Sequence, residues 1–164
     1  MIVLAIDPGS TESALVWFDS SAQRVLDKYK ADNQACLEQI AQSNVDWLAI
    51  EQAESFGAKV WSQVFTTVVW TGRFIQAWEM TRPGRTRDTH TQVTRREVKM
   101  HLTGSARAKD GQIRNCLIDR WGGKDKAIGS KKQPGPLLGV TADMWQALAI
   151  GVTYADRLKL EVAA

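Results

Sequence analysis

Ile2-Val3-Leu4-Ala5-Ile6-Asp7-Pro8-Gly9-Ser10-Thr11 is the stretch whose reading decides the fold. Ile2 to Ile6 is an unbroken apolar run, the pattern of a strand buried on both faces. Asp7-Pro8-Gly9 ends it in a turn. A strand covered on both sides needs helices above and below it, which points to the α/β class. Trp47 to Ile50 is a second run of this kind, and it ends on Glu51.

Between the two runs, Ser13 to Phe18 and Arg24 to Lys30 read as strands joined through Asp19-Ser20-Ser21, so a three-stranded meander opens the chain. Asn33 to Gln42 reads as a short amphipathic helix. After Glu51 a long helix is expected from about Gly57 to Met80, with Val60, Trp61, Val64, Phe65, Val68, Gly72 and Ile75 at three- and four-residue steps. Pro83-Gly84 stops it, and Arg85 to Thr91 reads as a short fifth strand. Thr94 then caps a helix, with Glu97 completing a capping box. Another helix is expected from Lys109 to Trp121. Gly122 to Gly139, rich in Gly, Pro and Lys, reads as a mobile basic loop, and a last helix runs from Thr141 to Leu158. No internal repeat or boundary divides the chain, so residues 1–164 are expected to form a single domain.

The net charge is +3, unevenly spread. From Arg82 to Lys132 there are 14 Lys/Arg against 5 Asp/Glu, a local +9, and the rest of the chain carries −6. A charge-rich stretch is ordinarily a solvated face, but a single-sign excess of this size favours a polyanionic partner such as nucleic acid. Cys36 and Cys116 fit neither a disulfide framework nor a zinc site and read as buried thiols of a reducing compartment. No signal peptide or membrane-length apolar run is present, so a cytoplasmic protein of a bacterial or phage-infected cell, without a membrane partner, is expected. Most of the seven tryptophans fall within predicted strands and helices and read as core or interface residues.

Three acids hold special places: Asp7 and Glu51 end the two buried strands, and Asp143 lies in the first turn of the last helix. Singly, each has an ordinary explanation as a turn initiator, a solvated strand end or a helix-start residue. Together they differ. In an open sheet the carboxyl ends of neighbouring parallel strands meet at one crevice. If the first and fourth strands are neighbours, Asp7 and Glu51 lie side by side and repel unless a cation or a proton sits between them. Mg²⁺ or Mn²⁺ suits such oxygen ligands, and two ions about 4 Å apart activate water for phosphodiester attack. The basic half of the chain supplies a grip on the phosphate backbone.

Ala5-Ile6-Asp7-Pro8-Gly9-Ser10-Thr11, Leu48-Ala49-Ile50-Glu51-Gln52 and Ala142-Asp143-Met144-Trp145-Gln146-Ala147-Leu148-Ala149-Ile150 resemble, in order, the motifs of RuvC-type Holliday junction resolvases. The segment from Val93 through Lys99, Leu102-Thr103-Gly104 and Lys109 resembles that family's helix and basic connection. The resemblance implies a ribonuclease-H-like fold with a five-stranded mixed sheet flanked by helices, a twofold homodimer, and Mg²⁺-dependent paired nicking of a four-way DNA junction. It places Asp7, Glu51 and Asp143 as catalytic metal ligands, with Gln146 where the family often has another acid. A glutamine carbonyl can ligate a hard cation but brings no charge. Phe56 falls where the resemblance places a base-stacking aromatic, and a helix-start core residue is the equal alternative. Lys99, Arg107, Lys109 and Arg114 are the basic residues nearest the expected active face, although most exposed cations are merely solubilising. Glu54 lies within reach of the site, while His90 and His101 read as structural or surface residues.

Two other functions stay open. One is a junction-binding protein whose metal site Gln146 has disabled, and the other is an RNA-directed nuclease of the same fold. The opening Asp7-x-Gly9-Ser10-Thr11 also resembles an ATPase phosphate loop, but those proteins need two such domains, so no nucleotide cofactor is expected. The long helix with Trp61 and Phe65 on one stripe is the expected dimer interface.

Overall fold

The structure, a computed structural model, describes residues 1–54, 62–82 and 89–163, the last three by backbone alone. Its elements are β1 (Ile2–Asp7), β2 (Glu12–Asp19), β3 (Arg24–Asp32), α1 (Asn33–Gln42), β4 (Trp47–Gln52), α2 (Ser62–Met80), β5 (His90–Thr94), α3 (Arg95–Thr103), α4 (Asp110–Arg120), α5 (Lys124–Ala127) and α6 (Met144–Ala163). They build one five-stranded sheet in the order β3-β2-β1-β4-β5. The β3-β2-β1 meander is antiparallel, and β1-β4 and β4-β5 pair in parallel.

The two-sided burial expected of β1 is observed, and it separates two cores. Val3 belongs to the cluster under α6, with Ala14, Val16, Phe18 and Ala49. Leu4 and Ile6 belong to the opposite cluster with Leu15, Leu48, Ile50, Ile40 of α1, and Phe74 and Trp78 of α2. Successive side chains of a strand point to opposite faces, so odd-numbered residues of β1 and β4 face α6. That face is lined by small residues where the helix crosses it. A Cβ on Gly151 of α6 would come within 2.9 Å of the Ala5 Cβ, so helix and strand touch almost backbone to backbone.

Local signals are realised at the helix ends. The Asp32 side chain accepts from the Ala35 N–H at 3.0 Å at the start of α1. Thr94 and Glu97 form the expected capping box on α3, which ends on Gly104 in the left-handed region with φ 71°. No helix among the described residues is long and apolar enough to cross a membrane. Cys36 is buried, and Cys116 is only half-buried.

Several boundaries differ from the sequence reading. Among the described residues the fifth strand is His90–Thr94, set by parallel pairing of Leu48–Gln52 with it, and so runs three residues past the expected end at Thr91. Residues 83–88 lie outside the described residues, as does the expected start of the long helix at Gly57. The inward face of α2 carries Thr71, Phe74 and Trp78, while Phe65 and Val68 of the expected stripe are exposed. The segment Gly122 to Gly139 is not a loose loop. It contains α5 and a bridge between Gly129 and Pro134, and Ala127 and Leu137 are fully buried. The Leu137 N–H donates to the Ala127 carbonyl at 2.7 Å. A Cβ at Gly135 would lie 2.3 Å from the Lys126 carbonyl oxygen, so the glycine serves close chain approach and not looseness.

Gly151→Val is expected to push α6 away from β1 and to lower stability by roughly 1–3 kcal/mol, as overpacking of a close contact does. Thermal unfolding followed by circular dichroism checks this. An unchanged midpoint would show that α6 does not rest on Ala5 as described.

Candidate active site

The register carries Asp7 and Glu51 to one place. Ala5 pairs with Ala49 and Ile6 with Ile50, so one step further along the two parallel strands the carboxylates come side by side. Both sit at odd positions, on the α6 face, at the carboxyl ends of the strands. The next partner in the row is Ala14 of β2, opposite Asp7, and beyond it Lys30 of β3, opposite Ala14. The sheet therefore presents one row of Glu51, Asp7, Ala14 and Lys30. Ala14, fully buried in this row, adds no charge between base and acids.

Asp7 is the strained member. Burial above all, then the charge of Glu51 and a side-chain hydrogen bond with it, push its carboxyl from 3.8 up to about 8, and Asp143 adds to the rise while Arg95 opposes it. A buried network fixes the turn that follows. The Gly9 N–H donates to Ser13 Oγ at 3.1 Å, and Ser13 Oγ donates to Asn33 Oδ1 at 2.6 Å. Asn33 Nδ2 returns a hydrogen bond to the Gly9 carbonyl at 3.0 Å. Gly9 is obligatory, since a Cβ there would lie 2.2 Å from the Glu12 carbonyl oxygen. Asp7 is thus held against its neighbour by backbone that cannot relax away.

Asp143 sits in the turn just before α6, and its carbonyl accepts the first helical hydrogen bond, from Ala147 at 3.1 Å. The preceding Ala142 has φ 45°, an uncommon backbone state for a residue with a side chain. The Asp143 carboxylate accepts from Lys30 Nζ at 2.6 Å, a contact that holds the ammonium above its ordinary range. Gln146, three residues on, lines the same open cleft of about 390 Å³ as Asp7, Asp143, Arg95, Asp110 and Arg114. Arg95 opens α3, 3.7 Å from Glu51 and 2.6 Å from Asp110. Burial opposes its charge, but these two carboxylates outweigh that and raise its pKa. Among the described residues no three His, Cys, Asp or Glu side chains converge as a finished ligand set. Asp7 and Glu51 form the converging pair, and Asp143 is turned onto Lys30. The donors are all oxygens, and the two carboxylates are half-buried side by side, so the chemistry of the set fits a hard divalent cation.

The basic residues singled out from sequence fall in different places. Arg114 lines the acidic cleft, its guanidinium 4.9 Å from the Trp145 ring centroid. Lys99 lines an adjoining cleft of about 310 Å³ with Arg95 and Arg96. Arg107 and Lys109 are exposed on the connection into α4 and line neither cleft. Phe56 lies outside the described residues. Glu54 is exposed just beyond β4. His90 lies 3.6 Å from Glu79, and His101 accompanies Arg120 on Asp156, as structural residues do. The sequence reading missed Lys30, Arg95, Arg96, Asp110 and the Ser13–Asn33 clamp. Strand parity marks the faces of Lys30 and Ser13, but their partners are set by cross-strand register and by where α3, α4 and α6 begin.

Asp7→Asn is expected to stabilise the metal-free protein. With its pKa raised, folded Asp7 keeps a proton between about pH 4 and pH 8 that the unfolded chain has released, so stability falls as pH rises through that window. The variant lacks this loss. Its unfolding midpoint in the presence of a chelator should exceed that of the wild type by roughly 3 °C or more at pH 8.5, and the difference should shrink toward pH 5. A variant less stable at both pH values would show that the pair is not repulsive.

No protein-family model and no curated protein matches this sequence. Solved structures do match its fold. A Thermus thermophilus RuvC structure aligns with a TM-score of 0.68 at 18% identity, covering 98% of this chain and 97% of that one. T. thermophilus RuvC in complex with Holliday junction substrate aligns with a TM-score of 0.65 at 20% identity, covering 98% and 96%. Over nearly its whole length this chain has the ribonuclease-H-like fold of those RuvC structures, a five-stranded mixed sheet flanked by helices.

Proposed function

We propose that this chain is a divalent-metal-dependent endonuclease that nicks branched DNA, with the four-way junction as its substrate. The observation that carries the reading is the Asp7–Glu51 pair, forced together where Asp7 lines an open cleft, beside a second cleft lined by Arg95, Arg96 and Lys99. The likeness in fold to a structure that holds a Holliday junction supports the choice of substrate. Asp7 and Glu51 are the centre of the ion site, with the Asp143 carboxylate and the Gln146 carbonyl on its α6 wall. Mg²⁺ or Mn²⁺ bound there supplies Lewis acidity and a water of lowered pKa. Arg114 and Arg95 bring positive charge to the cleft where a phosphodiester lies against the acids. Lys99 and Arg96 extend that charge along the backbone, and Arg107 and Lys109 continue it on the α4 connection.

Symmetric cutting calls for two sites about a twofold axis, and α2 offers the surface for it. Phe65 is 65% exposed and Val69 61%, with Val68 and Gly72 beside them on the same side of the helix. An exposed apolar stripe of this kind fits a second copy of the same stripe. A junction-binding protein without chemistry is the second reading, favoured by the neutral Gln146 and by the engagement of Asp143 with Lys30.

With an end-labelled synthetic four-way junction and Mg²⁺ or Mn²⁺, paired symmetric nicks are expected. They should be absent with EDTA, and Asp7→Asn and Glu51→Gln should slow them by about a hundredfold or more, since direct charge stabilisation at a metal is worth several kcal/mol. Tight binding with no nicks in either metal would favour the second reading, and preferential cutting of RNA duplex would overturn the substrate. Separately, Phe65→Glu with Val69→Lys should convert a dimer to a monomer in analytical ultracentrifugation. An unchanged mass would remove α2 as the interface.

A further inference from the structure

We propose that Arg95 couples metal binding to DNA binding: it is the counter-ion of Glu51 before an ion binds, and it serves a backbone phosphate afterwards. This rests on the nuclease reading and deepens it. Among the described residues Arg95 alone lines both the cleft that holds Asp7 and Asp143 and the cleft that holds Arg96 and Lys99. Its place is set by α3. Arg95 opens that helix directly after the Thr94 cap, and Lys99 follows one turn later on the same face. One arm of the guanidinium, Nη2, donates to Asp110 Oδ1 at 2.6 Å, and the other, Nη1, stands 3.7 Å from Glu51 Oε1. The planar fork thus spans one acid of the metal pair and one acid at the start of α4, and it has N–H donors to spare.

The other cations of the basic cleft stand differently. Among the described residues Arg96 and Lys99 form no ion pair, so only Arg95 has its charge engaged there. That engagement acts on both clefts. A guanidinium 3.7 Å from a ligand oxygen repels a dication approaching that oxygen, so Arg95 weakens metal binding when no DNA is present. While it faces Glu51 it is also less available to a phosphate. Once the Glu51 charge is met by an ion, its hold on Arg95 falls. A phosphate in the basic cleft can then take the freed arm in a charge-assisted hydrogen bond, and Asp110 keeps the other arm in place. Ion and DNA backbone each favour binding of the other through this one side chain, and linkage makes the effect reciprocal.

The test uses the full chain in two titrations. Mn²⁺ alone, without DNA, is followed by calorimetry. A labelled four-way junction is followed by stopped-flow anisotropy, read before cutting, in Mn²⁺ and in EDTA. Arg95→Gln is expected to bind Mn²⁺ about tenfold more tightly than the wild type, since a positive charge leaves the side of the ligand. Mn²⁺ is expected to strengthen junction binding by the wild type, and that gain should shrink about fivefold or more in Arg95→Gln. Arg95→Lys keeps the charge, so its Mn²⁺ affinity should stay near that of the wild type. If Arg95 only ties α3 to α4, Arg95→Gln will bind Mn²⁺ no more tightly, and the coupling is overturned while the nuclease reading stands. A gain in Mn²⁺ affinity as large in Arg95→Lys, or junction binding strengthened by Mn²⁺ no more in the wild type than in Arg95→Gln, overturns it equally. No Mn²⁺ bound by the wild type would bring down the metal site, and with it both the nuclease reading and the role of Arg95.

Discussion

Parallel pairing of β1 with β4 forces two carboxylates together, and the surrounding structure is arranged around that repulsion. The two strands are apolar on both faces and lie at the centre of the sheet, so their register cannot slip without exchanging the two cores. That register ends on Asp7 beside Glu51. Asp7 enters a turn locked by Gly9, Ser13 and Asn33, which holds its backbone in place. Held together, the two carboxylates cost the folded protein stability once Asp7 ionises, the arrangement expected where stability is given up for function.

The charges around the pair are graded and not uniform. Arg95 and Arg114 approach from α3 and α4, and Lys30 arrives from the edge strand β3. Each cation is itself held: Arg95 by Asp110, Lys30 by Asp143, and Arg114 over the Trp145 ring. Tethered cations have less side-chain entropy left to lose on meeting an anion than free surface lysines do. Glu97 shows the same economy elsewhere. Burial raises its carboxyl, but the Thr94 hydrogen bonds and Arg157 outweigh that and keep it charged at the head of α3. Arg95 therefore projects from a well-fixed first turn.

The position of α6 sets the depth of the cleft. Gly151 against Ala5 brings the helix so close to the sheet that its first turn falls over the ends of β1 and β4. A bulkier contact would lift Asp143 and Gln146 away from Asp7. Packing some two turns along the helix thus controls a distance in the site, through the stiffness of the helix.

The central strands, the helix caps and the three acids were legible in the sequence because each is a local pattern. An apolar run ended by Asp-Pro-Gly, a Thr-x-x-Glu box and an acid at a helix start all describe their own neighbourhood. The segment from Gly122 to Gly139 was not legible. Its order comes from Leu137 and Ala127 meeting across a turn, and its composition resembles that of a loose loop. The true faces of α2 were shifted for a related reason: periodicity shows that a helix has apolar sides, but only packing on β4 and α1 decides which side is buried. Lys30, Arg95 and Asp110 entered the site only through tertiary structure. By itself the sequence determined which strands are buried and which acids end them, since burial and turns are written in short-range pattern. What meets those acids was decided by register across three strands and by the starting points of three helices, and long side chains report neither until the fold has closed around them.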